Sequence, residues 1–102
     1  HDAILDFGRV TLDARAHEVR VDGASVPLTP REFEILYLLV EHPRQVFTYE
    51  QLLEHFWGGA GDRHTVTVHV GRIREKIEAD SSAPRLIVNI WGVGYRFEGK
   101  RE

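Results

Sequence analysis

The chain has 102 residues, no cysteine, 42% hydrophobic residues and 28% charged residues. This length suits one domain, and the absence of cysteine excludes disulfides, thiolate metal sites and cysteine nucleophiles. No apolar run approaches the roughly 20 residues that span a bilayer, and no signal peptide is evident, so we expect a cytoplasmic protein. The absence of methionine, even at position 1, is typical of a piece cut from a longer chain.

Charge is unevenly distributed along the chain. The net charge is −3, but residues 1–61 carry 5 basic and 10 acidic side chains, whereas residues 62–102 carry 8 basic and 6 acidic ones. This asymmetry points modestly to an anionic partner that meets only the second part. A random scatter of surface charge explains it equally well.

The N-terminal segment, residues 1–28, predicts an antiparallel sheet. Short alternating runs separated by turn residues indicate four strands, at 4–7, 10–12, 18–21 and 25–28. Asp22-Gly23 lies between two of these runs and predicts a tight hairpin turn, because such a turn needs positive φ angles that glycine tolerates.

Two capping signatures predict the first two helices. Thr29 is followed by proline at the first helical position and by Glu32, which can return a hydrogen bond to the backbone of the cap. Thr48 and Gln51 repeat this cap-plus-three pattern. The apolar residues of the first helix recur with a helical period until residues 42–43 end it, so we expect this helix to pack in the core.

The pattern of residues 65–70 is ambiguous. These residues alternate with period two and are rich in β-branched side chains, which favours a strand. A helix is favoured by Asp62, which can cap its start, and by an apolar stripe at helical spacing. The stripe consists of Val66, Val70, Ile73 and Ile77. We predict a helix over about 63–78.

The segment 85–98 returns to period two and predicts a β-hairpin with its bend at 92–94. Residues 46–47 can add a brief strand. The chain as a whole therefore predicts one α+β domain. It consists of an N-terminal four-stranded antiparallel sheet (1–28), a three-helix core (29–79) and the C-terminal hairpin.

No pattern of catalytic or metal-binding residues is evident. The six histidines do not form a metal-binding motif, since His64 and His69 are five residues apart and occupy different sides of a helix. No serine lies in a nucleophile elbow, and the glycine-rich segments lack the lysine of a phosphate loop. We expect no enzymatic activity, no metal and no cofactor.

The side of the third helix opposite the apolar stripe is unusual. It carries His64, Val68, Gly71, Arg72 and Glu75, flanked by Thr65 and Thr67. In a DNA major groove, Val68 could contact a thymine methyl, Arg72 could reach a guanine edge or a phosphate, and the threonines could bond to phosphates or bases. The alternative is that Val68 packs on a neighbouring element and the rest is ordinary surface.

Four motifs occur in one order along the chain. They are LTPREFEIL at 28–36, LL with FWG at 52–58, HTVTVHVGRIREKI at 64–77, and WGVGYRF at 91–97. Together with the four leading strands, these motifs resemble the DNA-binding effector domain of the OmpR/PhoB family of bacterial two-component response regulators. The resemblance covers nearly the whole chain.

The resemblance implies a winged helix-turn-helix. Its third helix, the recognition helix, would enter the major groove of double-stranded DNA, and the hairpin, or wing, would reach the adjacent minor groove or backbone. By position, Thr65, Val68 and Arg72 would lie near bases, and His69, Arg74 and Lys76 near phosphates. The full set of implied DNA contacts is His64, Thr65, Thr67, Val68, His69, Arg72, Arg74 and Lys76 on the helix, and Asn89, Trp91, Tyr95 and Arg96 on the wing.

The resemblance also implies protein partners. The loop that follows the second helix would contact RNA polymerase, with Trp57, Gly58, Gly59 and Asp62 as candidates. A receiver domain addressed by a sensor histidine kinase would precede this chain and drive dimerisation onto direct DNA repeats.

The chain departs from the family pattern at four positions. His64, Gly71 and Trp91 stand where basic residues are common, and Thr67 stands where aspartate is frequent. Fewer phosphate contacts predict weaker nonspecific DNA binding than in a more basic relative.

Two alternatives remain open from the sequence. One is a winged-helix interaction module that docks on another protein through Val68 and Trp91, which the acidic net charge favours. The other is a DNA-binding regulator controlled by a different sensor domain or tethered to a membrane.

Overall fold

Four short antiparallel strands form the N-terminal part of a computed structural model that describes residues 4–102. The strands lie side by side in chain order. They are β1 (Ile4–Asp6), β2 (Val10–Asp13), β3 (Glu18–Val21) and β4 (Ala24–Val26). The predicted four-stranded sheet is confirmed, while residues 1–3 of the predicted segment lie outside the described residues.

Alternation determines which side of this sheet faces the core. Leu5, Leu12 and Val19 lie opposite one another in the strand register, and all three are buried. The predicted turn joins β3 to β4 in two residues, with φ angles of 53° at Asp22 and 83° at Gly23. These positive angles match the right-handed twist of the flanking strands.

Three helices follow, each begun by a capping box. Thr29 Oγ1 accepts from the backbone of Glu32 (3.2 Å), whose carboxylate accepts from the backbone of Thr29 (3.0 Å). Thr48 and Gln51 form the equivalent pair at 3.0 and 2.9 Å. The helices are α1 (Pro30–Glu41), α2 (Tyr49–Trp57) and α3 (Arg63–Ile77).

The ambiguous segment is helical. Asp62 caps α3, and its carboxylate accepts from the backbone of Thr65 at 3.3 Å. The residues of the predicted apolar stripe, Val66, Val70, Ile73 and Ile77, are each 0% exposed. The helical period prevails over the β-branched composition because only a helix puts all four side chains against α1 and α2.

A second sheet closes the fold. Its strands are β5 (Phe47–Thr48), β6 (Ile87–Ile90) and β7 (Gly94–Phe97), in the order β5-β7-β6. The wing is the hairpin of β6 and β7, and residues 91–93 are its tip. A Cβ at Gly94 would lie 1.9 Å from the carbonyl oxygen of Phe47, so only glycine lets β7 approach β5 closely enough to pair with it.

One hydrophobic cluster joins the two sheets and the helices. Phe7, which follows β1, meets Phe97 of the wing edge-to-face at 4.8 Å between ring centroids. This contact fixes the N-terminal sheet to the wing. No helix within residues 4–102 is long and apolar enough to cross a membrane.

Candidate nucleic-acid interface

The outer face of α3 is the side of the helix opposite its buried stripe, and it carries His64, Thr67, Val68, Gly71, Arg72 and Glu75. Val68 is half-buried and belongs neither to the hydrophobic cluster nor to the residues packed against it. A Cβ on Gly71 would meet no atom within 4 Å. The outer face therefore leaves space at Gly71, next to the apolar side chain of Val68, for a partner to approach the helix closely.

Arg72 provides a free positive charge on this face. Its side chain is exposed and makes no hydrogen bond or ion pair with any residue between 4 and 102. Glu75, one turn further along, is exposed as well. An arginine in this state presents a planar fork of donors that suits a guanine edge or a phosphate.

The polar side chains near the start of α3 bond to the helix itself. Thr65 completes the capping box, Thr67 Oγ1 donates to the carbonyl of His64 (3.0 Å), and His69 Nδ1 donates to the carbonyl of Thr65 (2.9 Å). The His69 ring also meets Trp57 at 4.9 Å. These contacts fix the orientation of the side chains, of which His64 is the most open to solvent.

Lys76, an expected phosphate contact, has a partner inside the chain. Its Nζ lies 2.6 Å from Oε1 of Glu32, whose side chain is 2% exposed. Burial by itself raises the pKa of Glu32, but the hydrogen bonds from Lys76 and the Thr29 backbone, with the positive charges of Lys76 and Arg72, hold that pKa below its ordinary value of 4.5. Lys76 therefore neutralises a buried carboxylate of α1.

Arg74, another expected phosphate contact, also has partners inside the chain. Its Nε and Nη2 donate to the carbonyl of Ile87 (3.1 and 2.7 Å), and Nη2 donates to Oδ1 of Asn89 (2.9 Å). The guanidinium lies 5.2 Å from the ring centroid of Tyr95. Arg74 and Asn89 thus join α3 to the wing.

Glu78, just beyond α3, strengthens this junction. Its carboxylate accepts from the backbone N–H groups of Arg85, Leu86 and Ile87 at 2.9–3.1 Å. Because β6 is an edge strand, its outer backbone groups have no neighbouring strand to pair with. Side chains from the end of α3 take that place, so the wing is fixed to the recognition helix.

Tyr95 was expected to contact DNA, but its side chain is only 2% exposed and offers almost no surface to a partner. β7 is the central strand of its sheet, and the Tyr95 ring packs edge-to-face on Tyr49 at 5.6 Å. Burial, together with Tyr49, raises the pKa of Tyr95 to about 12, although Arg74 and Asn89 act in the opposite direction. Tyr95 supports the wing from within.

The other two predicted wing contacts differ from each other. Trp91 is 94% exposed and lies in the turn of residues 91–93 at the tip of the wing, one residue before the predicted bend. Arg96 is half-buried and ion-paired with Glu98. The tip is therefore apolar, and the nearby cation is already neutralised.

Comparison with known proteins identifies the family. Residues 23–97 match the family described as "Transcriptional regulatory protein, C terminal". The chain belongs to this family. It is similar to the transcriptional regulatory protein ResD of Bacillus subtilis, with 45% identity over 98 residues. The aligned region covers 93% of this chain and 41% of ResD. The chain thus spans about two fifths of the length of that relative.

Solved structures place this transcriptional regulatory domain in the OmpR/PhoB group. The response regulator DrrB of Thermotoga maritima, an OmpR/PhoB homolog, has a TM-score of 0.91 and 42% identity, over 95% of this chain and 45% of DrrB. The DNA-binding domain of RstA from Klebsiella pneumoniae, solved in complex with the RstA box, has a TM-score of 0.83 and 28% identity, over 93% of this chain and 96% of that domain. The predicted winged-helix fold is confirmed.

The loop between α2 and α3 of this OmpR/PhoB-type domain contains the candidates for polymerase contact. Trp57 is half-buried between His69 and the guanidinium of Arg31, which lies 5.1 Å from its ring. Gly58 ends α2 in the left-handed conformation, and Asp62 caps α3. Gly58, Gly59 and Asp62 are exposed, whereas Trp57 is largely occupied by packing inside the domain.

Sequence reasoning missed Arg63, the first residue of α3. Its side chain is exposed, lies 4.6 Å over the ring of Tyr49 and reaches within 4.0 Å of Glu50. The signal was its position directly after the capping residue Asp62, where the open start of a helix that enters a groove would lie. Within residues 4–102, no cluster of three or more histidine or acidic side chains could hold a metal ion.

Proposed function

We propose that this chain is a sequence-specific, double-stranded DNA-binding domain and the output module of a two-component response regulator. In this proposal α3 enters the major groove, and the wing meets the adjacent minor groove. Family membership supports the proposal, as does the likeness to the RstA domain, which was solved on its own DNA box.

The observation that carries the proposal is the pairing of Val68 and Arg72 on the outer face of α3. Val68 is an apolar side chain outside the core, and Arg72 is a free cation one turn away. An ordinary solvated helix face carries long charged side chains, whereas this one has a valine and a glycine whose missing side chain would meet no neighbouring atom. A thymine methyl and a guanine edge complement these two side chains.

We assign a role to each residue from its position on α3 or the wing and from whether its side chain already has a partner within the described residues. Val68 and Arg72 read base edges, while His64, Thr65 and Thr67 lie where the same part of α3 meets the groove walls. His69 lies close enough to the outer face to approach a phosphate. Arg63 joins this set as an exposed cation at the helix start. On the wing, Asn89, Trp91 and Arg96 are the candidates, and Asn89 also orients Arg74.

Titration of a duplex tests this function. The probe is a 30-base-pair duplex selected from a random library by the wild-type domain, and affinity is measured by fluorescence anisotropy at several salt concentrations. Release of counterions from phosphates predicts a steep fall of affinity as salt rises. A protein-docking module would show neither selection nor salt dependence.

Arg72→Ala is the informative variant. If Arg72 reads a guanine, the substitution costs about 1–3 kcal/mol on the selected duplex and relaxes preference at one base pair. Arg15→Ala is a matched control, since Arg15 is equally exposed but lies between β2 and β3. Unchanged affinity of the Arg72 variant for the selected duplex would contradict the assignment.

We infer the protein partners from the family and from the short span of this chain. These partners are a receiver domain and the sensor histidine kinase that phosphorylates it, and this chain spans only 41% of the length of ResD. The exposed Gly58, Gly59 and Asp62 support a polymerase contact, and paired domains on direct repeats would give a dimer on DNA. Sequencing upstream of residue 1 tests the receiver domain, and substitutions at Gly59 scored for transcription against DNA affinity test the polymerase contact.

A further inference from the structure

The wing tip carries an apolar side chain that the fold does not use. Trp91 is 94% exposed, compared with 54% for Ile4 and 41% for Val93, the other large exposed hydrophobic residues among those described. A tryptophan can bury about 150–250 Å² when it packs. Because Trp91 buries almost none of this area, its presence at the tip contributes little to the stability of the domain.

The backbone under Trp91 is firmly held. The N–H of Val93 donates to the carbonyl of Ile90 (2.9 Å), and the carbonyl of Val93 accepts from the N–H of Tyr49 (3.2 Å). Gly94 pairs with β5 on one side and with β6 on the other. The backbone next to Trp91 is thus already ordered, so fixing it adds little to the entropy cost of binding.

The size and charge of the tip favour a nucleic-acid groove over a protein surface. A stable protein interface buries about 800 Å² per partner, several times what one indole supplies. The tip is a turn of three exposed residues, and a single indole is small enough to enter a minor groove about 6 Å wide. Arg96 is the only charged residue in 87–97, so no carboxylate of the wing strands repels the phosphates.

We infer that Trp91 is the DNA-contacting group of the wing and that its contact is apolar and uncharged. The indole packs against deoxyribose and base edges of the minor groove, a groove that apolar side chains of other DNA-binding proteins also enter. This inference rests on the proposed function. Its consequence is that the wing adds affinity that salt does not weaken, while the charged contacts come from α3.

Substitution of Trp91 tests the inference on the selected duplex. Trp91→Ala should raise Kd about tenfold, in the range of aromatic contacts with bases, and should leave the slope of log Kd against log salt unchanged. Ile4→Ala is the matched control, because Ile4 is an exposed apolar residue on the N-terminal sheet, and its Kd should equal that of the wild type. Because Trp91 makes almost no contacts inside the domain, both variants should melt at the wild-type temperature.

Fluorescence provides a second measurement. The emission of Trp91 is the difference between wild type and Trp91→Phe, since half-buried Trp57 contributes to both. On addition of duplex this difference spectrum should shift to the blue, and acrylamide should quench it less.

The outcomes separate the inference from the function on which it rests. The inference alone would be overturned if the wild type binds the duplex, Trp91→Ala binds it with the same Kd, and acrylamide still quenches the Trp91 emission. A protein would then be the better candidate partner for the tip. A salt slope changed by about one would also overturn it, because the contact would then involve charge. Failure of the wild type to select any duplex would overturn the proposed function itself.

Discussion

Replacing Arg74 with methionine removes the guanidinium that joins α3 to the wing but keeps an unbranched side chain. The variant loses two hydrogen bonds to the carbonyl of Ile87 (3.1 and 2.7 Å) and one to Asn89 (2.9 Å). It also loses the cation over the ring of Tyr95, at 5.2 Å. A side chain whose only role was a phosphate contact could be replaced without changing the stability of the folded domain.

Hydrogen bonds from a charged donor contribute about 1.5–3 kcal/mol each, but they are not additive here. Asn89 is exposed and regains water, whereas the carbonyl of Ile87 faces the end of α3 and recovers less. We therefore expect a loss of about 2–3 kcal/mol in the free energy of unfolding. In a domain of this size, that loss lowers Tm by about 8–24 °C.

Arg72→Met is the matched control, two residues away on the same helix. Arg72 is exposed and unpaired among the described residues, so its variant should unfold within about 0.5 kcal/mol of wild type while losing affinity for duplex DNA. Arg74→Lys keeps the charge but restores only part of the fork, so its Tm should lie between those of Arg74→Met and wild type. Urea titration and thermal melts followed by circular dichroism measure all three.

The result that refutes this reasoning is specific. An Arg74→Met variant that melts within 2 °C or so of wild type, and whose binding loses about 0.9 from the salt slope, would show a phosphate contact and no structural junction.

Two further predictions concern packing and pH. Gly94→Ala should lower the free energy of unfolding by about 3 kcal/mol, because the added Cβ would overlap the carbonyl of Phe47. Gly71→Ala should raise it by about 0.5–1 kcal/mol, because the added Cβ meets no atom and alanine favours a helix. Urea titration measures both variants, and equal stabilities would contradict the prediction. The Glu32 carboxylate has a folded pKa below 4.5, so the stability it adds through Lys76 is present above that pH and is lost as the pH falls through the folded pKa. The difference in unfolding free energy between wild type and Glu32→Gln should therefore shrink below about pH 4.5, and a difference independent of pH would contradict the ion pair.

Features that depend on a few neighbouring residues could be predicted from the sequence. The caps at Thr29 and Thr48 and the turn at Asp22-Gly23 involve partners within three residues, and each forms as expected. The helical stripe of α3 is equally local, and it outweighed the β-branched composition. These signals, with the alternation of the strands, were sufficient for the fold.

The pairing of side chains across the fold could not be predicted in this way. Lys76 meets Glu32 from 44 positions away, and nothing in either local pattern indicates it. The resemblance implied Tyr95 as a DNA contact, but a position in a motif does not show that the central strand β7 is covered on both sides. The resemblance likewise implied Arg74 as a phosphate contact, and nothing in the local pattern of α3 indicates its hydrogen bonds to Ile87 and Asn89.

The junction between α3 and β6 affects which base pairs a DNA site can contain between the two contacted grooves. Arg74 and Glu78 hold the edge of β6 against the end of α3. A duplex bound as proposed therefore contacts α3 and the wing at a fixed separation. Base pairs between those two contacts must bend or twist to fit this fixed span. Their identity would then be selected by how easily they deform, without any side chain touching them.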